Sequence, residues 1–214
     1  MAAWIRRSAL VVLVGGLVRA GPPTGGQSVE MISLAADHPE ARCLDGSPYA
    51  IYVKQGSASA FAIGIHGGGW CYDEASCANR SRTALGTSTL WNSTRCWGPP
   101  AFSCYGLAAN CTEVFLPYCD GSSFTSNREA VWPVPNSSTV LHLRGRANLD
   151  GALDVLLERY GLGEAADVIL AGGSAGGLST ILNLDHVASR LPRARVYGAP
   201  VAGYFLDHPP MPGG

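Results

Sequence analysis

The sequence predicts an α/β fold with a mostly parallel sheet flanked by helices, and three observations predict it. From Val114 onward, short apolar runs alternate with stretches whose apolar residues recur at helical spacing. A glycine-flanked serine, Ser174, stands between a predicted strand and a predicted helix, and further upstream another strand runs into three consecutive glycines. Strand-helix-strand order demands parallel pairing, because the chain must cross back to start the next strand from the same end, and the crossing helices cover the sheet. At 214 residues one core suffices, so a single domain is expected.

The elements follow in order. Arg6 and Arg7, the apolar run Ala9 to Val18 and the small-residue end Val18-Arg19-Ala20 form a secretory signal pattern over residues 1–20. The run is about half the ~20 apolar residues that a membrane-spanning helix needs. Gly21 to residue 28 reads as a linker, and the folded part starts near Val29 and is expected to run to Gly214. Tyr49 to Val53 and Phe61 to His66, separated by a Gly/Ser turn, have the pattern of a hairpin at a sheet edge. Tyr72 to Asn110 shows no sustained period and is rich in Ser, Thr, Asn, Cys and Pro, so it is expected to be irregular and pinned by its cysteines. Strands are expected at Val114 to Tyr118, Thr139 to Leu143, Asp167 to Ala171 and Val196 to Ala199. Leu149, Leu153, Leu156 and Leu157 mark one helix, and Leu178 to Leu191 a second.

Only 14% of residues are charged and the net charge is −1, so no basic field exists to attract nucleic acid, and no such partner is expected. Four sequons, at Asn79, Asn92, Asn110 and Asn136, agree with export. So do seven cysteines gathered between Cys43 and Cys119, which an oxidising compartment would pair across long loops. Seven is odd, and spacing alone does not say which of them pair. None stands in a C-x-x-C spacing, so no structural metal is expected, and no dinucleotide or other cofactor fingerprint is present.

The chemistry concentrates in two turns. Gly172-Gly173-Ser174-Ala175-Gly176 matches G-x-S-x-G in the strand-to-helix context that makes the motif specific for a nucleophile elbow of the α/β-hydrolase type. A sharp turn holds the serine in strained geometry, and glycines two residues either side remove side chains that would strike the neighbouring strand and helix. Ser174 Oγ then projects from the carboxyl edge of the sheet beside the positive end of the following helix. A glycine-rich turn that merely packs or cradles a phosphate is the bland alternative, but the glycines do not fit G-x-G-x-x-G and no Gly-Lys-Ser/Thr follows. Upstream, His66-Gly67-Gly68-Gly69 follows a strand, as in the H-G-G-G turn of esterases whose main-chain N–H groups point at the carbonyl oxygen under attack. Each such donor lowers the barrier by ~2.7–4 kcal/mol. His66 precedes the serine and is read as a turn and packing residue. Trp70, Trp91, Trp97 and Trp132 could stack on sugar rings, though packing is the commoner role for aromatics.

Taken together, H-G-G-G-W-C at His66 to Cys71, L-P-Y-C-D-G-S-S-F at Leu116 to Phe124, L-R-G-R-A-N-L-D-G-A-L-D at Leu143 to Asp154 and G-G-S-A-G-G at Gly172 to Gly177 resemble the pectin acetylesterase and Notum family. The resemblance extends over roughly Tyr49 to Asp207, and the Y-C-D-G-S-S-F block is closer to the plant-type pectin acetylesterases than to the animal Wnt deacylases. The resemblance implies a secreted, monomeric carboxylesterase of the cell wall, free of the membrane after leader cleavage, that removes acetyl groups from polysaccharide. It implies Ser174 as nucleophile and the main-chain N–H groups of Gly69, Trp70 and Ala175 as oxyanion donors. A Notum-like deacylase acting on a longer acyl ester, and a secreted binding module that lost catalysis, are the alternatives.

Members of that family continue well past this point, with the catalytic Asp and then the His in that later part, so the fold is expected to be incomplete at the C-terminus. His186 lies twelve residues along a helix from Ser174, about 18 Å at ~1.5 Å per residue, too far for a general base. Asp207 and His208 are adjacent to each other, whereas the acid that orients a base normally comes from a separate loop. The 214 residues alone are therefore expected to hydrolyse a nitrophenyl acetate little faster than buffer. A sheet lacking its last strands would also expose an apolar edge and one helix face.

Overall fold

The computed structural model describes residues 29–93, 104 and 110–206. The leader and linker expected over 1–28, together with Cys96, Trp97, Asp207 and His208, lie outside the described residues. The elements are β1 (Glu30–Ser33), β2 (Ala50–Lys54), β3 (Ser57–Ile65), α1 (Glu74–Arg80), β4 (Cys111–Leu116), β5 (Trp132–Pro133), β6 (Val140–Leu141), α2 (Gly145–Arg159), β7 (Asp167–Gly173), α3 (Ala175–Arg190) and β8 (Arg195–Val201). Six strands form one sheet in the order β1-β2-β4-β3-β7-β8. Pairing is parallel at β4-β3, β3-β7 and β7-β8, and antiparallel at β1-β2 and β2-β4. The result is an α/β-hydrolase-like arrangement in which β3 and β7 run side by side, with Ile65 opposite Gly172. Their carboxyl ends therefore deliver the two glycine-rich turns to the same edge.

Alternation along β3 divides the sheet's faces. Phe61, Ile63 and Ile65 join one core with Val168 and Leu170 of β7, Leu149, Leu153 and Leu156 of α2, and Val187 of α3. Ala60 and Ala62 point the other way into a smaller cluster with Cys111. Each large apolar side chain so buried contributes about 1.5–3 kcal/mol. α2 and α3 lie side by side on the first face, joined by Arg190 to Asp154 at 2.5 Å and His186 to Asp150 at 2.5 Å.

Three expectations change. Tyr49 to Val53 and Phe61 to His66 are not a hairpin: β4 inserts between β2 and β3 and pairs with both. The physical reason is burial on both faces, since Ala60 to Ile65 are all buried, as suits a central parallel strand and not an edge. The strand expected at Thr139 to Leu143 shrinks to two residues paired with Trp132–Pro133 in a separate ribbon. Within Tyr72 to Asn110, α1 forms because Asp73 caps it: the Asp73 carboxylate accepts from Ser76 N at 2.7 Å and the Ser76 hydroxyl accepts from Asp73 N at 3.1 Å. The hydrogen bond from the Ser76 main-chain N–H, helped by the Ser76 side chain, holds the Asp73 carboxyl below the usual carboxylate range.

The cysteine pins are Cys43–Cys119, Cys71–Cys77 and Cys104–Cys111. At the other flank β8 pairs only with β7 among the described strands, and Tyr197, Val201, Ile181 and Leu182 are exposed there, as are Tyr204 and Leu206 just beyond. Among the described residues no helix is long and apolar enough to cross a membrane.

Candidate active site

β7 ends in Gly173, and Ser174 turns the chain into α3 with φ 55° and ψ −123°. That conformation costs a non-glycine residue about 1–3 kcal/mol, and packing on both sides holds it in place. Ser174 N–H donates to Val201 O at 2.9 Å, and Ser174 O accepts from Leu178 N at 2.9 Å to start the helix. A methyl group on Gly172 would sit 2.2 Å from Gly176 O, and one on Gly176 would sit 2.4 Å from Ile65 O. The flanking glycines are thus required by main-chain contact, and Ser174 itself is exposed.

The H-G-G-G turn lies against this elbow. A methyl group on Gly67 would stand 2.2 Å from Gly173 O and 3.3 Å from Gly176 N, so the two turns touch backbone to backbone. Gly68 and Gly69 take φ 141° and 65°, which turns the peptides that follow β3. Arg80, from α1, fixes the turn from behind: its Nη1 donates to Gly68 O at 2.9 Å and its Nε to Leu85 O at 3.1 Å. Its guanidinium sits 4.8 Å over the Tyr118 ring. The Cys71–Cys77 disulfide ties the end of the turn to the same helix. Among the described residues, none accepts a hydrogen bond from the N–H of Gly69, Trp70 or Ala175. The N–H of Ala175 is free for the usual reason that the first turn of a helix leaves its donors unpaired.

Trp70 is 38% exposed, its ring edge-on to Phe205 at 4.7 Å. Its indole Nε1 donates to Ser123 Oγ at 2.7 Å, and Ser123 Oγ in turn donates to Ala175 O at 2.9 Å. This loop is what the reading of residue types overlooked. Tyr118 Oη accepts from Ser123 N at 3.0 Å, and buried Asp120 accepts through one oxygen from Ser122 N, Ser122 Oγ and Phe124 N. Ser123 and Phe124 consequently hold φ 53° and 60°. Burial raises the Asp120 carboxyl above its ordinary value, with those hydrogen bonds working against the shift. Burial, then Asp120, pushes the Tyr118 hydroxyl up. The one signal for this tight turn was the D-G-S-S run at Asp120 to Ser123.

A cavity of about 170 Å³ takes in Asp120, Ser122 and Trp132 but not Ser174. Trp132 carries Arg128 over its ring at 5.2 Å, while Trp91 packs edge-on against buried Tyr49 at 5.9 Å and donates to Ala84 O. His186 is held on Asp150, away from the elbow, and the His66 ring lies 5.5 Å from Phe115. Among the described residues none hydrogen-bonds the Ser174 hydroxyl, and no group of three His, Cys, Asp or Glu side chains could hold a metal ion.

A family model described as pectinacetylesterase matches residues 24–214. Pectin acetylesterase 11 of Arabidopsis thaliana is 36% identical over 188 residues, which cover 81% of this chain and 45% of the relative. The human palmitoleoyl-protein carboxylesterase NOTUM is 32% identical over 182 residues, 78% of this chain and 34% of the relative. The solved structure of the Wnt deacylase Notum from Drosophila superposes with a TM-score of 0.72 at 28% identity, covering 86% of this chain and 55% of that one. The chain spans about half the length, or less, of the curated relatives it matches.

Proposed function

The chain belongs to the pectinacetylesterase family, and from that premise we propose that the protein is a secreted carboxylic ester hydrolase that removes acetyl groups from cell-wall polysaccharide. The observation that carries the reading is the main-chain contact between the two turns, with the hydroxyl-bearing Ser174 strained and exposed at their junction. In this reading Ser174 Oγ attacks the acyl carbon while a general base takes its proton. The carbonyl π pair moves onto oxygen, where the N–H groups of Gly69, Trp70 and Ala175 meet it. Collapse breaks the ester C–O bond, the sugar hydroxyl leaves with the proton, and water then releases acetate and restores the serine. The base is assigned to none of the described residues. Export is supported by the three disulfides, which belong to an oxidising compartment, and by the four sequons. The Arabidopsis relative favours an acetyl ester of pectin, and NOTUM a longer acyl ester.

The test is fluorophosphonate labelling of the natural protein, followed by acetate release from acetylated pectin and turnover of a long-chain ester. Labelling lost in Ser174→Ala, with acetate released, is expected. Absence of labelling, or labelling that survives the substitution, overturns the enzyme reading. Preference for the long-chain ester overturns only the substrate.

A further inference from the structure

We infer that Ser123 is a positioning residue that locks the two halves of the oxyanion site to each other, an inference that rests on the esterase reading above. An indole N–H can only donate and a main-chain carbonyl can only accept, while a hydroxyl has one proton and two lone pairs. The direction of the relay is therefore forced: Trp70 Nε1–H to Ser123 Oγ, and Ser123 Oγ–H to Ala175 O, over 2.7 and 2.9 Å. Its two ends are residues whose own main-chain N–H groups are the proposed donors, one from the turn after β3 and one from the start of α3. Ser123, which carries the hydroxyl between them, is 2% exposed, so water does not replace it without a rearrangement.

Ser123 is itself held on every side. Its N–H is taken by Tyr118 Oη at 3.0 Å, and its carbonyl accepts from Asn183 Nδ2 at 3.4 Å. Asn183 is anchored in turn to Ser179 O at 2.9 Å, one helical turn earlier in α3. A residue at φ 53° with all its polar groups engaged is a rigid fulcrum. Without the hydroxyl, the half-exposed Trp70 indole loses its acceptor and the turn carrying the Gly69 and Trp70 amides loses its tie to α3.

The experiment compares Ser123→Ala, Ser123→Gly and Trp70→Phe in the natural protein. Ser123→Ala keeps the side-chain carbon but not the bridge. Ser123→Gly also relieves the positive φ, so it remains folded if the alanine variant does not. A loss of roughly 10- to 100-fold in kcat is expected in both, the scale of a misplacement under 1 Å. KM should be nearly unchanged and the fluorophosphonate rate should fall in parallel. Trp70→Phe added to Ser123→Ala should cost no more than either alone, and the Trp70 indole N–H resonance should move in Ser123→Ala. Unchanged kcat, or losses confined to KM and melting temperature, overturns the inference while leaving the esterase reading intact. A natural protein with no Ser174-dependent turnover overturns the esterase reading, and this inference with it.

Discussion

Adding one methyl group at Gly67 tests the contact on which the site depends. The new carbon would lie 2.2 Å from Gly173 O and 3.3 Å from Gly173 C and Gly176 N. All three are main-chain atoms, so none can swing aside as a side chain would. Carbon and oxygen need more than 3 Å, so the H-G-G-G turn and the elbow must part by about 1 Å, which costs ~1–3 kcal/mol as overpacking does elsewhere. For a domain of this size that lowers the melting temperature by roughly 2–4 °C per kcal/mol. The larger effect is on rate: parting the turns carries the Gly69 and Trp70 amides away from Ser174, and a 1 Å misplacement costs about 100-fold. The assay is the rate of Ser174 labelling by a fluorophosphonate, with melting temperature measured alongside. Gly173→Ala is the control, because a methyl group there meets nothing within 4 Å, and it should stay within about 0.5 kcal/mol of the parent. Labelling of Gly67→Ala at the parent's rate, or equal damage from Gly173→Ala, refutes the reasoning.

Other outcomes follow from the same geometry. Ser174→Gly should abolish labelling yet raise stability by about 1 kcal/mol in chemical denaturation, because glycine relieves the strain at φ 55°. Replacing the pair Cys43 and Cys119 by alanine should cost about 4–5 kcal/mol by loop entropy and the pair Cys71 and Cys77 about 2–2.5, since the separations are 76 and 6 residues; equal losses would contradict this. Asp120 has its proton affinity raised on folding, so its contribution to stability is fully present below the ordinary carboxylate pKa and is lost as pH rises through the folded value. Melting scans of Asp120→Asn from pH 3 to 7 should therefore lack a decline that the parent shows, and parallel curves would refute the shift.

Much of the arrangement was legible because it is written locally. The elbow shows in sequence as a strand, a glycine-bracketed serine and a helix start, and Gly172 and Gly176 prove to be required by contacts with Gly176 O and Ile65 O. The position of β3 is less legible, because the turn signal between Lys54 and Ser57 fits a hairpin, whereas the buried run Ala60 to Ile65 is what a central strand shows. The seven-residue α1 is too short to display a period, and only its cap at Asp73 and Ser76 announces it. Ser123 was invisible for a different reason. Its partners Trp70 and Ala175 are 53 and 52 residues away, and no spacing rule links a turn serine to an indole and a carbonyl at such distances.

The hydrogen bond from Ser174 N–H to Val201 O makes the outer margin of the sheet part of the serine's own setting. Among the described strands Arg195–Val201 pairs on one side only, and Val201 is the last residue of that strand. A neighbour that extends the ladder there would damp the motion of the carbonyl holding the serine, and a strand that frays would loosen it. The strained bend at Ser174 is thus tied through its own N–H to the rim of the sheet.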